Sequence, residues 1–235
     1  SETGKALMPK IHRLLQVYDS LNGEIRACKR SQESTLWLAA LDTISTRWVP
    51  RAVAQLKEEY PHITVSVISG SPMQVDNWLR DGSVEIGVTD RRWTGAELDW
   101  TKLVDDPFLA VLPPDSDAPD PMPADYLSGK AVIIPDYGAN TDTTRVFTRA
   151  GVEPAYTDDR LNNRSVLAAV AAGLGSTVFS RLELDYYAQQ NLTVRAIDPP
   201  CLRELGVAMR PAVKNNPVAR SLLRALRRAA ADDIA

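Results

Sequence analysis

Apolar side chains recur through the first thirty residues at Leu7, Ile11, Leu14, Tyr18, Leu21, Ile25 and Cys28. The steps run 4, 3, 4, 3, 4, 3, an a/d heptad seam flanked by Lys, Arg, Glu and Gln. A helix packed on its own domain usually carries a wider stripe, with a third apolar position per heptad. Here only Leu15 and Val17 widen the seam. The pattern predicts a dimerisation helix over residues 1–30, ended by the polar break Ser31-Gln32-Glu33-Ser34. It begins almost at the first residue with no cap of its own, so a partner segment is expected upstream.

Beyond the break the period changes. Residues 36–41 form a continuous apolar run, the mark of a strand buried on both faces. The polar turn 42–46 is expected to cap a helix whose apolar positions are Val49, Val53, Leu56 and Tyr60, with Pro50 in its first turn and Pro61 as its stop. Residues 64–68 read as a second strand. Ser71-Pro72 reads as N-cap and first helical position, Val75, Trp78 and Leu79 as the apolar face, and Gly82 as the end. Val84, Ile86 and Val88 alternate in a third strand. Strands alternating with helices predict a parallel sheet with right-handed crossovers.

A strand over 108–112 leads into the proline-rich stretch 113–121, which reads as a domain crossing. The pattern then restarts. A strand over 131–134 is followed by a loop over 135–140 and a helix capped near Thr141 or Asp142. A helix over 163–172, strands near 176–179, 192–197 and 205–209, and a last helix opened by Asn216-Pro217 complete the chain. The expected organisation is a linker helix over 1–30, a first subdomain over 36–113 with 198–235, and a second over 114–197. Two α/β halves with two crossings predict a hinged cleft. Ligands of parallel sheets bind beyond the carboxyl ends of the strands. Here those loops are 42–46, 69–72, 89–92, 137–141 and 161–163, rich in Ser, Thr, Asn and Gly, and three of them open helices. Helix N-termini present free N–H donors suited to a small anion.

Composition narrows the class without changing this outline. The 235 residues carry net charge −3, with 44% hydrophobic and 24% charged residues, an ordinary globular profile. Mild acidity argues against a broad nucleic-acid surface in these residues. Cys28 and Cys201 read as reduced thiols, and no His/Cys cluster has metal-ligand spacing, so neither metal nor cofactor is expected. No apolar run reaches the length of a membrane span, and the N-terminus has no signal-peptide core. The expected location is the cytoplasm. The basic run Arg220, Arg224, Arg227 and Arg228 reads as a solvated helix face. Arg91 and Arg92 read as a solvated loop. Gly173-Leu174-Gly175 ends a helix and enters a strand, the reverse of a dinucleotide-binding context.

Several ordered stretches resemble the LysR-type transcriptional regulators, without their N-terminal winged-helix DNA-binding domain. They are Thr3-Gly4-Lys5-Ala6-Leu7, Val49-Pro50 through Tyr60-Pro61, Ser69-Gly70-Ser71, Leu79 through Val88, Val111 through Asp115, and Val170 through Gly175. Each is weak alone; together they span nearly the whole chain in order. The resemblance implies two Rossmann-like α/β subdomains of periplasmic-binding-protein type after a long linker helix. It implies a chain that senses a small-molecule effector, pairs with itself as a dimer or tetramer, and reaches DNA only through the absent domain. Carried over by position, the effector-binding residues are Thr43 and Ile44 after the first strand and Ser71 opening the second helix. Thr89 ends the third strand, Tyr137 and Gly138 follow the first strand of the second half, Asn163 opens its next helix, and Phe179 ends a later strand. The resemblance places Leu7, Ile11, Leu14, Tyr18, Leu21 and Ile25 on the dimerisation helix.

Two departures matter. The family's first turn often reads Ser-Pro-Ser/Thr, whereas Leu41-Asp42-Thr43 puts an acid at the mouth, where it repels an anion or pairs with an amine. The crossing often reads Pro-x-x-His-Pro, but here it is Pro113-Pro114-Asp115-Ser116-Asp117. Two other functions share the outline. A solute-binding receptor would carry a signal peptide or lipidated Cys. A small-molecule enzyme using Ser71 or Ser45 would need a base at the cleft, and neither His12 nor His62 lies in a cleft loop.

Overall fold

The apolar run after the polar break forms the centre of a sheet. In the computed structural model, which describes residues 10, 17, 35–134, 140–157, 161–187 and 191–234, it is β1 (Thr35–Ala40). The seam positions Leu7, Ile11, Leu14, Tyr18, Leu21 and Ile25, and the pair Tyr137-Gly138, lie outside the described residues. After β1 come α1 (Asp42–Glu59), β2 (Thr64–Ser69), α2 (Pro72–Arg80), β3 (Ile86–Asp90) and β4 (Asp99–Leu112). Then follow β5 (Met122–Pro123), β6 (Ala131–Ile133), α3 (Asn140–Ala150), β7 (Ala155–Thr157), α4 (Asn163–Ala171), β8 (Thr177–Ser180) and α5 (Arg181–Tyr187). Last are β9 (Thr193–Asp198), β10 (Leu202–Met209) and α6 (Pro217–Ile234). This is a mixed α/β fold.

The chain divides into two compact units. One holds the residues up to Val104 and from Leu205 onward; the other is Asp105–Glu204. The division falls inside β4 and β10, not at the proline-rich stretch 113–121 where the sequence predicts a crossing. A strand can pass between units without breaking its extended pattern, so the passage leaves no mark in composition. The predicted strand over 108–112 is accordingly only the second half of β4.

In the first unit, β1 pairs parallel with β2 on one side and β3 on the other. The predicted all-parallel sheet ends there, because β10 returns antiparallel to β3. β3 does not alternate as Val84, Ile86 and Val88 suggest; all five of its residues are buried, as in a strand covered on both faces. Ile44, Trp48 and Leu56 of α1 and Leu222 and Leu226 of α6 are buried, and the two helices pack together. Val75 and Leu79 of α2 are buried as expected, and Gly82 follows that helix with φ of 80°, a conformation that glycine adopts without Cβ strain. Pro50 lies inside α1, not in its first turn, because the helix already starts at Asp42. The carbonyl its missing N–H leaves unmatched belongs to Thr46, and both residues are exposed, so water can serve it.

In the second unit β4 pairs antiparallel with β8 and β9, and β6 pairs parallel with β7. The period of β4 divides the core. Phe108, Ala110 and Leu112 join Met122, Leu127, Val132, Phe147 and Ile197; Val111, between them, joins Ile133, Val166, Leu167, Val170 and Phe179. The helix predicted to be capped near Thr141 or Asp142 is already helical at Asn140. The short elements β5, β7 and α5 have no counterpart in the sequence reading; with seven residues or fewer each, they show too little periodicity. Among the described residues no helix is long and apolar enough to cross a membrane.

Two buried charges hold elements in place. In the first unit, Asp233 near the end of α6 accepts hydrogen bonds from Arg47 Nη2 at 2.8 Å and Trp48 Nε1 at 2.8 Å. In the second, Asp106 on β4 accepts from Leu182 N at 3.1 Å, at the start of α5, and from Arg203 Nε at 2.8 Å. Burial pushes the Asp106 carboxyl up; the Arg203 charge opposes this without cancelling it. Replacing Arg203 with Met leaves that carboxylate buried without its counter-ion, and the expected loss in urea unfolding is roughly 3–5 kcal/mol.

Burial also acts upward on Asp233, but hydrogen bonds from Arg47 and Trp48 and the charges of Arg47 and Arg51 outweigh it and hold it below 3.8. A carboxyl depressed in the folded state contributes stability that is present above its unfolded pKa and lost as pH falls through the folded one. Asp233→Ala is therefore expected to cost about 1–3 kcal/mol near neutrality. The gap between variant and parent in urea melts should narrow as pH is lowered below about 4.

Candidate functional site at the strand ends

β1 and β2 end at the same level, and β3 runs two residues further, to Asp90. Ala40 pairs with Ser69 of β2 and with Val88 of β3. Backbone bonds continue one step past the sheet, with Leu41 N donating to Val88 O at 3.2 Å and Gly70 N to Ala40 O at 3.1 Å. From this common edge the chain turns into α1, into α2, and into a short 3-10 turn at Arg91–Trp93. Three of the expected loops, 42–46, 69–72 and 89–92, thus lie side by side in one unit.

At the first turn the N-cap is Leu41, which has no side-chain oxygen to offer, so Thr43 is not the cap that the polar turn suggests. Thr43 is 4% exposed and Ile44 1% exposed. Both are helical, and the Ile44 side chain belongs to the core. What Ile44 presents at the turn is its backbone N–H, one of the first-turn donors that helical geometry leaves unpaired. Ser45 Oγ donates to Asp42 O at 2.8 Å and accepts from Ser69 Oγ at 2.8 Å, tying the first loop to the second.

At the second turn Ser71 is the N-cap, as expected. Its Oγ accepts from Gln74 N at 3.3 Å, while Gln74 Oε1 accepts from Ser71 N at 2.9 Å, a complete capping box. Gly70 precedes it because a Cβ there would lie 2.7 Å from the Trp78 ring.

At the third turn Thr89 is 0% exposed and its Oγ1 has no hydrogen-bond partner. A Cβ on Gly87 would meet Val75 and Leu79, so Gly87 and Thr89 share the face that α2 covers. Asp90, on the opposite face, is 2% exposed. Its Oδ1 accepts from Arg92 N at 2.8 Å, and its Oδ2 has no partner. Arg91 and Arg92 are not simply solvated: their guanidinium carbons lie 5.5 Å and 5.4 Å from the ring centroids of Trp100 and Trp93.

In the second unit α4 is capped by Asn162, whose Oδ1 accepts from Ser165 N at 3.0 Å. Asn163 is the first helical residue, and its Oδ1 is buried without a partner. Phe179 sits in β8 with its side chain in the core beside Val111 and Val166. The sequence gives Asp90 no supported role beyond a carboxylate that could act with Asp42, and it does not single out Asn162. For each, the signal was an Asx residue whose oxygen accepts a backbone N–H two or three residues on, which Asp90-Arg91-Arg92 and Asn162-Asn163-Arg164-Ser165 both allow. Among the described residues no group of three His, Cys, Asp or Glu is placed to hold a metal.

A polar depression of about 160 Å³ lies elsewhere, lined by Gln55, Glu59, Ser221, Arg224, Ala225 and Arg228. It sits toward the far end of α1 from Thr43. Its own groups satisfy one another: Ser221 donates to Glu59, and Arg224 lies 3.5 Å from the same carboxylate.

Known proteins share this fold. The LysR substrate binding domain model matches residues 29–231. The transcriptional activator protein LysR of Escherichia coli is 24% identical over 205 residues, covering 82% of this chain and 63% of its own length. The probable HTH-type transcriptional regulator LrrA of Synechococcus elongatus is 24% identical over 234 residues, covering 98% of this chain and 78% of its own. Among solved structures, the CcmR regulatory domain of Synechocystis PCC6803 in complex with 2-PG superposes with a TM-score of 0.70 at 22% identity, covering 83% of this chain and 96% of that one. The C-terminal domain of a probable LysR family regulator from Rhodococcus sp. RHA1 gives 0.70 at 17% identity, covering 83% and 98%. This chain belongs to the LysR substrate-binding-domain family and is the effector-sensing part of a LysR-type transcriptional regulator.

Proposed function

We propose that Thr43, Ser71 and Thr89 hold a small organic effector at the carboxyl ends of β1, β2 and β3. The observation that carries this reading is the Thr89 hydroxyl, fully buried with no partner. An unpaired buried polar group is costly, so a site where it persists is one where something else supplies the bond. Ser71 and the first turn of α1 bring helix N-terminal donors to the same edge. In the second unit, taken by itself, Asn163 carries an unpartnered buried oxygen, and Asn163, Tyr137 and Gly138 are the effector contacts proposed for that unit.

The reading is non-catalytic. Ser45 is engaged with Asp42 and Ser69, and Ser71 with Gln74, so neither hydroxyl is poised against a base. The regulator works in the cytoplasm without a cofactor. It pairs with itself through Leu7, Ile11, Leu14, Tyr18, Leu21 and Ile25, and binds DNA through a separate winged-helix domain. An effector alters transcription only by binding two arrangements of that oligomer with different affinity.

The test is a thermal-shift screen of the 235-residue chain against small carboxylates, amino acids, aromatic acids and oxyanions. A ligand specific to the folded state stabilises it by about 2.7 kcal/mol at a hundredfold excess over its dissociation constant. Thr43→Ala, Ser71→Ala and Thr89→Val are each expected to weaken the responding ligand at least tenfold. Ser71→Ala also removes a cap worth about 1 kcal/mol, so its affinity is read by calorimetry instead of from the midpoint. Unchanged affinity in all three variants rejects the site. Separately, Leu14→Asp is expected to lower the oligomer mass measured by light scattering, and an unaltered mass rejects the seam.

A further inference from the structure

Three buried carboxylates in the described residues invite comparison. Asp106 has a donor on each oxygen, Leu182 N and Arg203 Nε. Asp233 likewise has Arg47 on one oxygen and Trp48 on the other. Asp90 breaks the pattern, because its Oδ1 accepts from Arg92 N while its Oδ2 is buried with nothing bound to it. Among the described residues it is the one carboxylate with an unsatisfied buried oxygen.

Among the described residues no donor reaches the Asp90 Oδ2 atom. The cross-strand partner of Asp90 on β10 is Leu205, an apolar residue. The two arginines that follow it direct their guanidinium groups onto the Trp100 and Trp93 rings. A carboxylate oxygen taken out of water needs a donor, and a positively charged donor most of all. The position matters as well. Ala40, the last residue of β1, pairs with Val88 of β3, and two residues on from each stands an acid, Asp42 at the start of α1 and Asp90 at the end of β3. Asp90 thus adjoins Thr89 at the end of β3, with its carboxylate on the opposite face of the sheet.

We infer that Asp90 is a specificity-determining residue, whose free buried oxygen selects an effector bearing an ammonium or other cationic N–H group. This rests on the strand-end reading of the effector site. The helix N-termini at that edge suit a carboxylate, so the class of ligand combining both demands is an amino acid or a similar zwitterion. A simple dicarboxylate or oxyanion satisfies the helix ends and leaves Asp90 unpaired.

The experiment uses matched probes that differ in one group: alanine against lactate, serine against glycerate, aspartate against malate, with putrescine as a cation lacking a carboxylate. Each is titrated by calorimetry into the 235-residue chain and into Asp90→Asn, Asp90→Glu, Thr43→Ala and Ser71→Ala. The expected result is binding of an amine-bearing probe at least tenfold tighter than its hydroxy partner, with that preference lost in Asp90→Asn. Asn keeps an oxygen for Arg92 N, so the unliganded melting midpoint shows whether the variant folds. Asp90→Glu retains the charge and should recover part of the preference.

Equal binding of amine and hydroxy partners overturns the inference, as does an Asp90→Asn variant that keeps the preference within twofold, or a panel in which no amine-bearing probe binds. The two readings fail differently. Loss of binding in Thr43→Ala and Ser71→Ala with an unaffected Asp90→Asn removes Asp90 and leaves the site. Loss in Asp90→Asn alone, with Thr43→Ala and Ser71→Ala unaffected, removes the proposed site.

Discussion

The parallel pairing of β1 with β2 and β3 is the constraint on which the rest of the first unit depends. β1 is buried on both faces, so its six residues must find two neighbours and two covering layers at once. Satisfying its backbone sets the register, and the register brings Ala40, Ser69 and Val88 to one level. From that level α1, α2 and a 3-10 turn begin, so three loops that are distant in sequence become neighbours. The candidate site is therefore a by-product of strand pairing. Its hydroxyls sit where they do because the register sets these three turns side by side.

Rigid packing beneath the edge is what makes unsatisfied groups there informative. Thr89 and Asp90 belong to a strand with no exposed residue, and α2 seals one face with Val75 and Leu79. Elsewhere in the fold a buried carboxylate is neutralised by a neighbouring side chain, as Asp106 is by Arg203. The same economy is absent at the end of β3. A buried carboxylate oxygen without a donor, where Asp106 and Asp233 have a donor on each oxygen, marks a place shaped for a ligand.

Much of the fold was legible in the residues. The three strands, the helices α1, α2 and α6, the Ser71 N-cap, the glycine after α2 and the Asn216 cap of the last helix all follow from periodicity and capping chemistry, and the structure has each of them. The misplacements share one origin. Pro50 looked like a helix start because local rules place proline there, yet burial of Ile44 and Trp48 extends α1 back to Asp42. The polar turn looked like a cap, but Leu41 takes that place because the strand it ends is held by Val88.

The sequence by itself determined the longer strands and helices, since hydrophobic period and caps act over a few residues, but not the short elements β5, β7 and α5. It also marked Thr43, Ser71 and Thr89 as strand-end hydroxyls. Only the tertiary structure decided that Ile44 and Phe179 point into cores, that the units divide within β4 and β10, and that one oxygen of Asp90 is left unpaired. These are properties of groups that meet across long stretches of chain. No local pattern records whether a buried oxygen finds a donor, because the donor is brought by another strand or fails to arrive.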